Sequence, residues 1–313
     1  FLASKIVDVV QHERLDVLHV HYAIPHAAVA FMAKEILKTK GIYLPVLTTL
    51  HGTDISLVGL DSSLASVVEF SINKSDIVTS VSQSLKEQTQ KFFNVDKDIE
   101  VINNFIDLDR FQRKTKSSFK AAFAPNNEKI IVHTSNFRKV KRVPDVVKVF
   151  GAIREQLDAK LLFIGDGPER RHVETLCRDM GVCNDIHFLG KQDAVEEILS
   201  LADLFILPSE NESFGLAALE AMACGVPVIS SNVGGLPEVN EEGITGFMCE
   251  VGDTQCMATK AMLILENETV LETFRKNARA KADTFSKAHI VPQYEHLYER
   301  CISASQTYKV TKN

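Results

Sequence analysis

The sequence contains no long apolar segment. None of its apolar runs approaches the ~18 residues that a membrane span needs, and no secretory signal peptide opens the chain. The net charge is −6 with acidic and basic residues interspersed, which disfavours a broad nucleic-acid surface. We therefore expect a soluble, cytoplasmic protein with no membrane span and no nucleic acid among its partners.

Metal-binding and disulfide signatures are missing as well. The six cysteines include no C-x-x-C pair, and none stands at metal-ligand spacing from a histidine. We expect reduced, mostly buried cysteines and neither a metal nor a cofactor. His19, His21 and His26 lie close in sequence, but no carboxylate or cysteine joins them, so packed or hydrogen-bonded histidines are favoured over a metal site.

Strand-like and helix-like segments alternate along the 313 residues, of which 45% are hydrophobic. This is enough for two α/β domains, and helices after the strands favour parallel sheets covered on both faces. Residues 243–248 instead suggest a hairpin, and residues 108–128 are the best candidate for a linker. The chain opens without the strand and Gly-rich turn of a doubly wound domain, so we expect the N-terminal part of the first domain to be missing.

The most informative stretch is Glu212-Ser-Phe-Gly-Leu-Ala-Ala-Leu-Glu220. It follows an apolar strand and a polar loop, and its small or straight-chain residues predict a helix. The start of such a helix offers free N–H groups and a positive dipole end to a phosphate, which Gly215 lets approach the backbone. Glu220 leans back toward this end, where its two oxygens can accept both hydroxyls of a ribose. A pair of solvated glutamates is the simpler interpretation of the same spacing.

Polar residues follow other predicted strands too. Tyr22 and His51 lie at strand ends of the first half, where open α/β sheets bind ligands. Basic residues at 138–142 follow the first strand of the second half and suit a diphosphate better than a solvated surface. A Gly-x-Gly at 165–167 suggests a dinucleotide site, but the third glycine is absent and Pro168 starts the helix, which disfavours a dehydrogenase.

Together with four further motifs, the Glu212-x7-Glu220 pattern resembles glycosyltransferase family 4, the retaining enzymes of GT-B fold. The four motifs lie at residues 165–169, 188–190, 234–238 and 246–247, and the resemblance covers essentially the whole chain. It implies an α/β protein of two Rossmann-like doubly wound domains facing a cleft. We place the acceptor-side domain at 1–110, the nucleotide-sugar donor domain at 111–285, and a C-terminal helix that packs back across the first domain at 286–313.

Motifs at residues 19–26, 49–54, 104–107 and 135–142 are similar to those of a narrower group in the bacillithiol pathway. The similarity implies transfer of N-acetylglucosamine from UDP-N-acetylglucosamine to the hydroxyl of L-malate, with retention of configuration. It also implies that the leaving phosphate oxygen helps to take the acceptor proton, so that no enzyme nucleophile is needed, and that Lys and Arg side chains take the place of a metal.

The family's functional residues carry over to matching positions. His51 would lie near the donor sugar, Lys141 would neutralise the leaving UDP, and Glu212 would hold the sugar hydroxyls, while Glu220 would hold the ribose. The other donor-binding residues are Asn136, Arg138, Gly165, Gln192, Phe214, Gly215 and Leu216. For a small dianionic acceptor the candidates from the strand ends are Tyr22, Thr49, Asn104 and Arg138.

Two departures from the family leave alternatives open. Many members carry Arg where this chain has Asn136, so that Arg138 or Arg142 must supply the second charge, and the Gly-rich loop of the first domain is absent. A transferase for a lipid or polysaccharide acceptor would need an apolar or basic patch on the first domain. A non-catalytic nucleotide-sugar-binding protein would bind the donor without releasing UDP. The oligomeric state is open, and a homo-oligomer is compatible with the sequence.

Overall fold

The computed structural model describes residues 1–58, 62–114 and 118–310. They form two compact units, one of Phe1–Asn104 with the C-terminal residues from Ala288 onward, and one of Phe105–Lys287. Every paired strand in both sheets runs parallel to its neighbour. This confirms the predicted α/β fold with two Rossmann-like units.

The first unit has a four-stranded sheet in the order β1-β2-β3-β4. Its strands are β1 (Leu18–His21), β2 (Val46–Leu50), β3 (Ile77–Ser80) and β4 (Ile99–Val101). Its helices before the end of β4 are α1 (Leu2–Glu13), α2 (Ala28–Thr39), α3 (Thr53–Val58), α4 (Ala65–Lys74) and α5 (Gln83–Phe92). Because β1 and β2 are adjacent and parallel, the loops that follow them, from Tyr22 and from His51, begin side by side.

The second unit has a six-stranded sheet in the order β10-β9-β8-β5-β6-β7. Its strands are β5 (Lys129–Thr134), β6 (Ala159–Ile164), β7 (Ile186–Phe188), β8 (Leu204–Leu207), β9 (Val228–Ser231) and β10 (Gly246–Cys249). Its helices are α6 (Ser118–Phe123), α7 (Val143–Arg154), α8 (Arg170–Asp179), α9 (Val195–Leu199), α10 (Leu216–Ala223), α11 (Leu236–Val239), α12 (Thr254–Leu265) and α13 (Glu268–Asp283).

The strand order of the second unit reverses direction between β5 and β8. From β5 the chain proceeds outward through β6 and β7, then returns to place β8 on the other side of β5. Open parallel sheets bind ligands at the carboxyl ends of their strands where the order reverses. The loops after β5 and β8 are therefore the expected walls of a ligand site.

The last helix, α14 (Lys287–Val310), packs on the sheet of the first unit. Its apolar residues Ile290, Leu297 and Cys301 share a core with Leu47 of β2 and Ile102. Burying a side chain of leucine or isoleucine size contributes about 1.5–3 kcal/mol. The helix is thus an integral part of the first unit.

Two sequence expectations about the second unit were wrong. Residues 243–248 do not form a hairpin, because β10 runs parallel to β9 with Gly246 opposite Val228. Four of the six cysteines are paired, as Cys177–Cys183 and Cys249–Cys256, while Cys224 and Cys301 are free and buried. Each bridge links two cysteines that are close in the sequence. The fold brings their Cα atoms to 5.1 and 6.1 Å from each other, and the spacing of the cysteines in the sequence does not reveal these distances.

Among the residues that the structure describes, no helix combines the length and the apolar character of a membrane span.

Candidate active site

Close backbone contacts interlock the loops at the carboxyl edge of the second unit's sheet. A Cβ added to Gly165 would lie 1.8 Å from the carbonyl oxygen of Ser135, and one added to Gly167 would lie 2.0 Å from that of Asn136. The backbone N–H of Gly165 also donates to the carbonyl of Gly190 at 2.7 Å. Only glycine fits at both positions, so the loop after β6 holds the loops after β5 and β7 in place.

A second glycine pair supports the loop that contains Glu212. A Cβ on Gly234 would lie 1.9 Å from the carbonyl oxygen of Glu212, and one on Gly235 would lie 2.5 Å from that of Ser213. The N–H of Gly235 donates to the Glu212 carbonyl at 2.9 Å. The motif that the sequence showed at 234–238 therefore acts as a support for the backbone of Glu212.

Lys141 and Glu212 form an ion pair at the point where the strand order reverses. Lys141 Nζ donates to Glu212 Oε1 at 2.5 Å, and the buried hydroxyl of Ser209 donates to the same oxygen at 2.9 Å. The two side chains are only 22% and 12% exposed. Two predicted catalytic residues from different loops thus come together, and Ser209, which the sequence reading missed, holds one oxygen of the carboxylate.

The helix after Glu212 begins as its sequence predicts. Gly215, at φ 98°, precedes α10 and occupies the left-handed region that favours glycine. Phe214 is buried with its ring against Phe285, which leaves its backbone rather than its side chain to meet a ligand. Leu216, in contrast, is 43% exposed. Helix α10 begins shortly after Glu212 in the sequence, and its N-terminus offers a phosphate the positive end of the helix dipole.

Glu220 is a partly buried carboxyl with no hydrogen-bond or ion-pair partner among the described residues. Its pKa is raised to about 7, chiefly by burial; the nearby Arg110 guanidinium opposes the rise and Glu196 adds to it. Arg110 itself donates to Glu196 at 2.9 Å and to the Asp193 carbonyl at 3.1 Å. A half-buried acceptor without a partner is the arrangement expected of a group that awaits hydroxyl donors from a ligand.

The basic residues after β5 differ in whether acidic residues of the fold already neutralise their charge. Arg142 donates to Asp145 at 2.6 Å and to Glu210 at 3.0 Å, so its charge is already neutralised within the fold. Arg138 is exposed and has no partner within the described ranges. Of the two arginines that the sequence left open, Arg138 is therefore the one available to an anion.

The remaining predicted donor residues lie on the loops already described. Asn136 is exposed beside Arg138, and Gly165 forms the close contact with Ser135. Gln192 is exposed after β7, and its amide donates to the Leu189 carbonyl at 2.6 Å. The loop after β7 is held by Arg110, a residue of the predicted linker that no motif singled out.

His133 supports the loop after β5 through hydrogen bonds of its buried ring. Its ring nitrogens are 2.8 Å from the Ile206 carbonyl and 2.8 Å from Ser135 Oγ, and burial lowers its pKa to about 4. Ser135 Oγ in turn accepts the Phe137 N–H at 3.3 Å. The sequence signal for this role is a histidine that directly follows three apolar residues of β5, and the sequence analysis did not use it.

In the first unit, Tyr22 and His51 lie together, with ring centroids 5.0 Å apart. Tyr22 has φ 76°, a left-handed conformation that is uncommon for a tyrosine. Asp54 fixes this turn, because its buried carboxylate accepts the Ala23 N–H at 2.6 Å and the Gly52 N–H at 3.2 Å. One aspartate thus ties the loop after β1 to the loop after β2.

Thr49 and Asn104 differ in accessibility. Thr49 is fully buried, and its hydroxyl bonds to His19 Nε2 at 2.8 Å and to Thr79 Oγ1 at 2.7 Å. His19 also bonds to the Tyr298 hydroxyl at 2.8 Å, which leaves Thr49 placed to orient His19 rather than to contact a ligand. Asn104 is partly exposed and has no hydrogen-bond partner in the described part of the chain.

Three histidines at the strand ends of the first unit, His19, His21 and His51, have lowered pKa values. The pKa of His51 is lowered to about 4, chiefly by burial and also by the neighbouring His21. The pKa of His19 is also lowered to about 4, by burial and by both neighbours. Within the described ranges, no group of three or more His, Cys, Asp or Glu side chains could hold a metal ion.

Comparisons with known proteins agree across both units. Residues 1–110 match the family described as Glycosyltransferase Family 4, and residues 114–281 match Glycosyl transferases group 1. The chain is 47% identical over 299 residues to N-acetyl-alpha-D-glucosaminyl L-malate synthase of Bacillus anthracis, which covers 95% of this chain and 78% of that protein. It is 30% identical over 288 residues to an uncharacterized glycosyltransferase of Methanocaldococcus jannaschii, with 88% and 72% covered.

Solved structures share the fold at lower identity. HepE of Anabaena in complex with UDP and glucose is 21% identical, with a TM-score of 0.83 over 95% of this chain and 81% of that one. Sucrose-phosphate synthase of Thermosynechococcus elongatus is 22% identical, with a TM-score of 0.81 over 96% and 78%.

Proposed function

The chain belongs to glycosyltransferase family 4, and from this premise we propose that it transfers N-acetylglucosamine from UDP-N-acetylglucosamine to the hydroxyl of L-malate. The observation that carries the proposal is the 47% identity to the malate synthase, which extends over 95% of the chain and so includes both units. We further propose that configuration is retained and UDP released, as the first step of bacillithiol biosynthesis, in the cytoplasm.

The second unit supports the donor half of the proposal. A diphosphate at the start of α10 would meet the helix N-terminus, Lys141 and the exposed Arg138. Glu212 would pass from its bond with Lys141 to the sugar hydroxyls, while Lys141 turns to the phosphate. Glu220 would accept the ribose hydroxyls, and the exposed Gln192 would meet the base.

The first unit supports a small polar acceptor. Tyr22 contributes a hydroxyl beside the neutral imidazole of His51, and Asn104 contributes an unengaged amide. Because the pKa of His51 is lowered, its imidazole contributes a neutral hydrogen-bonding group rather than a positive charge to the acceptor.

The mechanism that follows is front-face displacement. Positive groups at the phosphates stabilise the charge that develops on the leaving UDP, an effect worth about 10²–10³ in rate for a single well-placed donor. The leaving phosphate oxygen takes the proton of the malate hydroxyl as the new glycosidic bond forms. Lys141 and Arg138 supply the charge in this proposal, and no enzyme nucleophile is required.

Product analysis tests the proposal. The protein is incubated with UDP-N-acetylglucosamine and L-malate, and the product is isolated for mass spectrometry and proton NMR. We expect the mass of N-acetylglucosaminyl malate and the small anomeric coupling of an α-glycoside. A β-anomer would refute retention, glycosylation of a lipid or polysaccharide but not malate would refute the acceptor, and UDP binding without any product would refute catalysis.

A further inference from the structure

Two histidines of the first unit share one hydrogen bond. His21 Nδ1 and His51 Nε2 lie 2.8 Å apart, with their ring centroids 5.0 Å apart. His21 ends β1, whereas His51 directly follows β2. A bond between two imidazoles requires that one ring donates and the other accepts, so the tautomer of one ring decides that of the other.

The ring of His21 rests on a fixed support. Its backbone carbonyl accepts a hydrogen bond from His26 Nδ1 at 2.6 Å, and its ring packs on His19 with centroids 4.5 Å apart. Both nitrogens of His19 are engaged, by Tyr298 and by Thr49 at 2.8 Å each. His21 is therefore held by its strand, its carbonyl and its stacking partner, although its outer edge is solvent-exposed.

His51 depends on this neighbour. In the described part of the chain, the bond to His21 is its only hydrogen bond, so its Nδ1 has no protein partner. If Nε2 of His51 donates to His21, Nδ1 is a bare acceptor toward a ligand; if Nε2 accepts, Nδ1 carries a hydrogen and donates. The bond to His21 thus decides what His51 can present to a sugar or carboxylate.

We propose that His21 is a positioning residue that fixes the ring orientation and the tautomer of His51 for its contact with the bound substrate. The inference rests on the proposed function, in which His51 lies beside Tyr22 on the acceptor side of the first unit. Nothing in the Glu-x7-Glu pattern or in the glycine motifs points to His21. Its role follows from the pairing of His21 with Thr49 in the sheet, which sets the ends of β1 and β2 beside each other.

A double-mutant cycle with His21→Phe and His51→Ala tests the proposal. Phenylalanine keeps an aromatic ring on His19 but removes the nitrogen that bonds to His51. We expect His21→Phe to lower kcat by about 10-fold or more, by analogy with the loss of a partner that orients a metal-ligating histidine. In the His51→Ala background the same change should cause no further loss, because the two residues act as one.

Two other readouts exclude a merely structural effect. The affinity for UDP alone should stay unchanged in His21→Phe, since the proposed function assigns UDP to the second unit. His12→Phe, which alters a histidine whose side chain is 87% exposed on α1, should leave kcat unchanged. Additive losses in the cycle, or an equal loss in His12→Phe, would overturn the proposal.

An NMR measurement separates this inference from the proposed function. Long-range ¹⁵N–¹H correlation spectra report the tautomer of each histidine without any substrate. We expect the His51 nitrogen shifts to show one defined tautomer in the wild type and a mixture in His21→Phe. An unchanged His51 tautomer would refute the positioning role even if malate is the acceptor, and a changed tautomer would support it even if the acceptor is another molecule.

Discussion

Glu220 shows how the environment of one side chain prepares it for a ligand. The Glu-x7-Glu spacing identified it from the sequence, but the spacing could not reveal that its carboxyl is partly buried and has no partner among the described residues. Burial raises its pKa to about 7, which means that near neutral pH the ligand-free protein holds this group in both protonation states. A ribose that donates two hydroxyl hydrogens selects the ionised form.

Donor binding should therefore depend on pH. As pH rises from about 6 to about 8, Glu220 ionises and affinity for UDP-N-acetylglucosamine should increase, by up to about tenfold per pH unit below the pKa. Both phosphates of this sugar nucleotide are diesters, so they do not titrate in this range. Isothermal titration calorimetry across the range measures the effect, and Glu220→Gln should bind weakly with little pH dependence. A flat wild-type profile would contradict the ribose role.

The same pKa shift predicts a stability effect of opposite sign. The folded-state pKa lies above the ordinary value of 4.5, so ionising Glu220 lowers the stability of the ligand-free fold as pH rises toward 7, and the loss is complete above that pH. Glu220→Gln should consequently melt about 2 °C or more above the wild type at about pH 8, and close to it at about pH 5. A lower Tm for the variant at about pH 8 would show that the buried charge is compensated.

Arg138 and Arg142 separate binding from folding. Arg138→Ala removes a charge that has no partner in the described part of the chain, so affinity for UDP-N-acetylglucosamine should fall by about 10-fold or more, as for a lost charge-assisted hydrogen bond, with Tm unchanged. Arg142→Ala instead leaves Glu210 without its partner and Asp145 with Lys148 alone, and should lower Tm. Lys139→Ala, an exposed neighbour, is the control for loss of charge alone. Equal affinity losses in Arg138→Ala and Lys139→Ala would mean that only the net charge matters.

At the scale of elements, the proposed donor site is a set of loops whose close contacts require glycine. The sequence predicted the loops and their glycines from family motifs, but the contacts of Gly165 with Ser135 and of Gly234 with Glu212 join segments far apart in the chain. No local pattern encodes such a contact. The same limit explains why residues 243–248 were predicted as a hairpin: the turn glycines were read correctly, but the partner of the following strand was not.

Gly234→Ala tests whether the contact between Gly234 and the Glu212 backbone is needed for donor binding. Its Cβ would lie 1.9 Å from the Glu212 carbonyl, so the Glu212 loop has to move and donor affinity should fall by about 100-fold or more. Gly181→Ala is the matched control, because Gly181 also has positive φ but nothing lies within 4 Å of the added carbon. It should cost about 1 kcal/mol of stability and leave affinity unchanged. Comparable affinity losses in both variants would contradict this role of the contact.

The two cysteine bridges belong to this scale as well. Each closes a short loop, with sequence separations of 6 and 7, for which the chain-entropy relation gives about 2 kcal/mol. Adding a dithiol reductant should therefore lower Tm, and alkylation followed by mass spectrometry should label two cysteines before reduction in denaturant and six after it. Six labelled cysteines before reduction would restore the expectation of free thiols.

For the whole molecule, the fold class followed from the sequence because two signals agreed. Apolar strand runs alternate with helices, and the family motifs fall at the strand ends. What the sequence could not give is the pairing across loops: the Lys141–Glu212 bond joins residues separated by 71 positions, and the roles of Ser209, His133 and Arg110 depend on such packing. Residues whose function is to hold another residue carry no spacing signal of their own.

The central claim is that the protein transfers N-acetylglucosamine to malate, and the most direct measurement is the rate of UDP release from UDP-N-acetylglucosamine with and without L-malate. The account predicts release that saturates with malate, persists in EDTA, and is lost in Glu212→Ala while UDP still binds. Release that is equal with and without malate, or that requires another acceptor, would contradict the account.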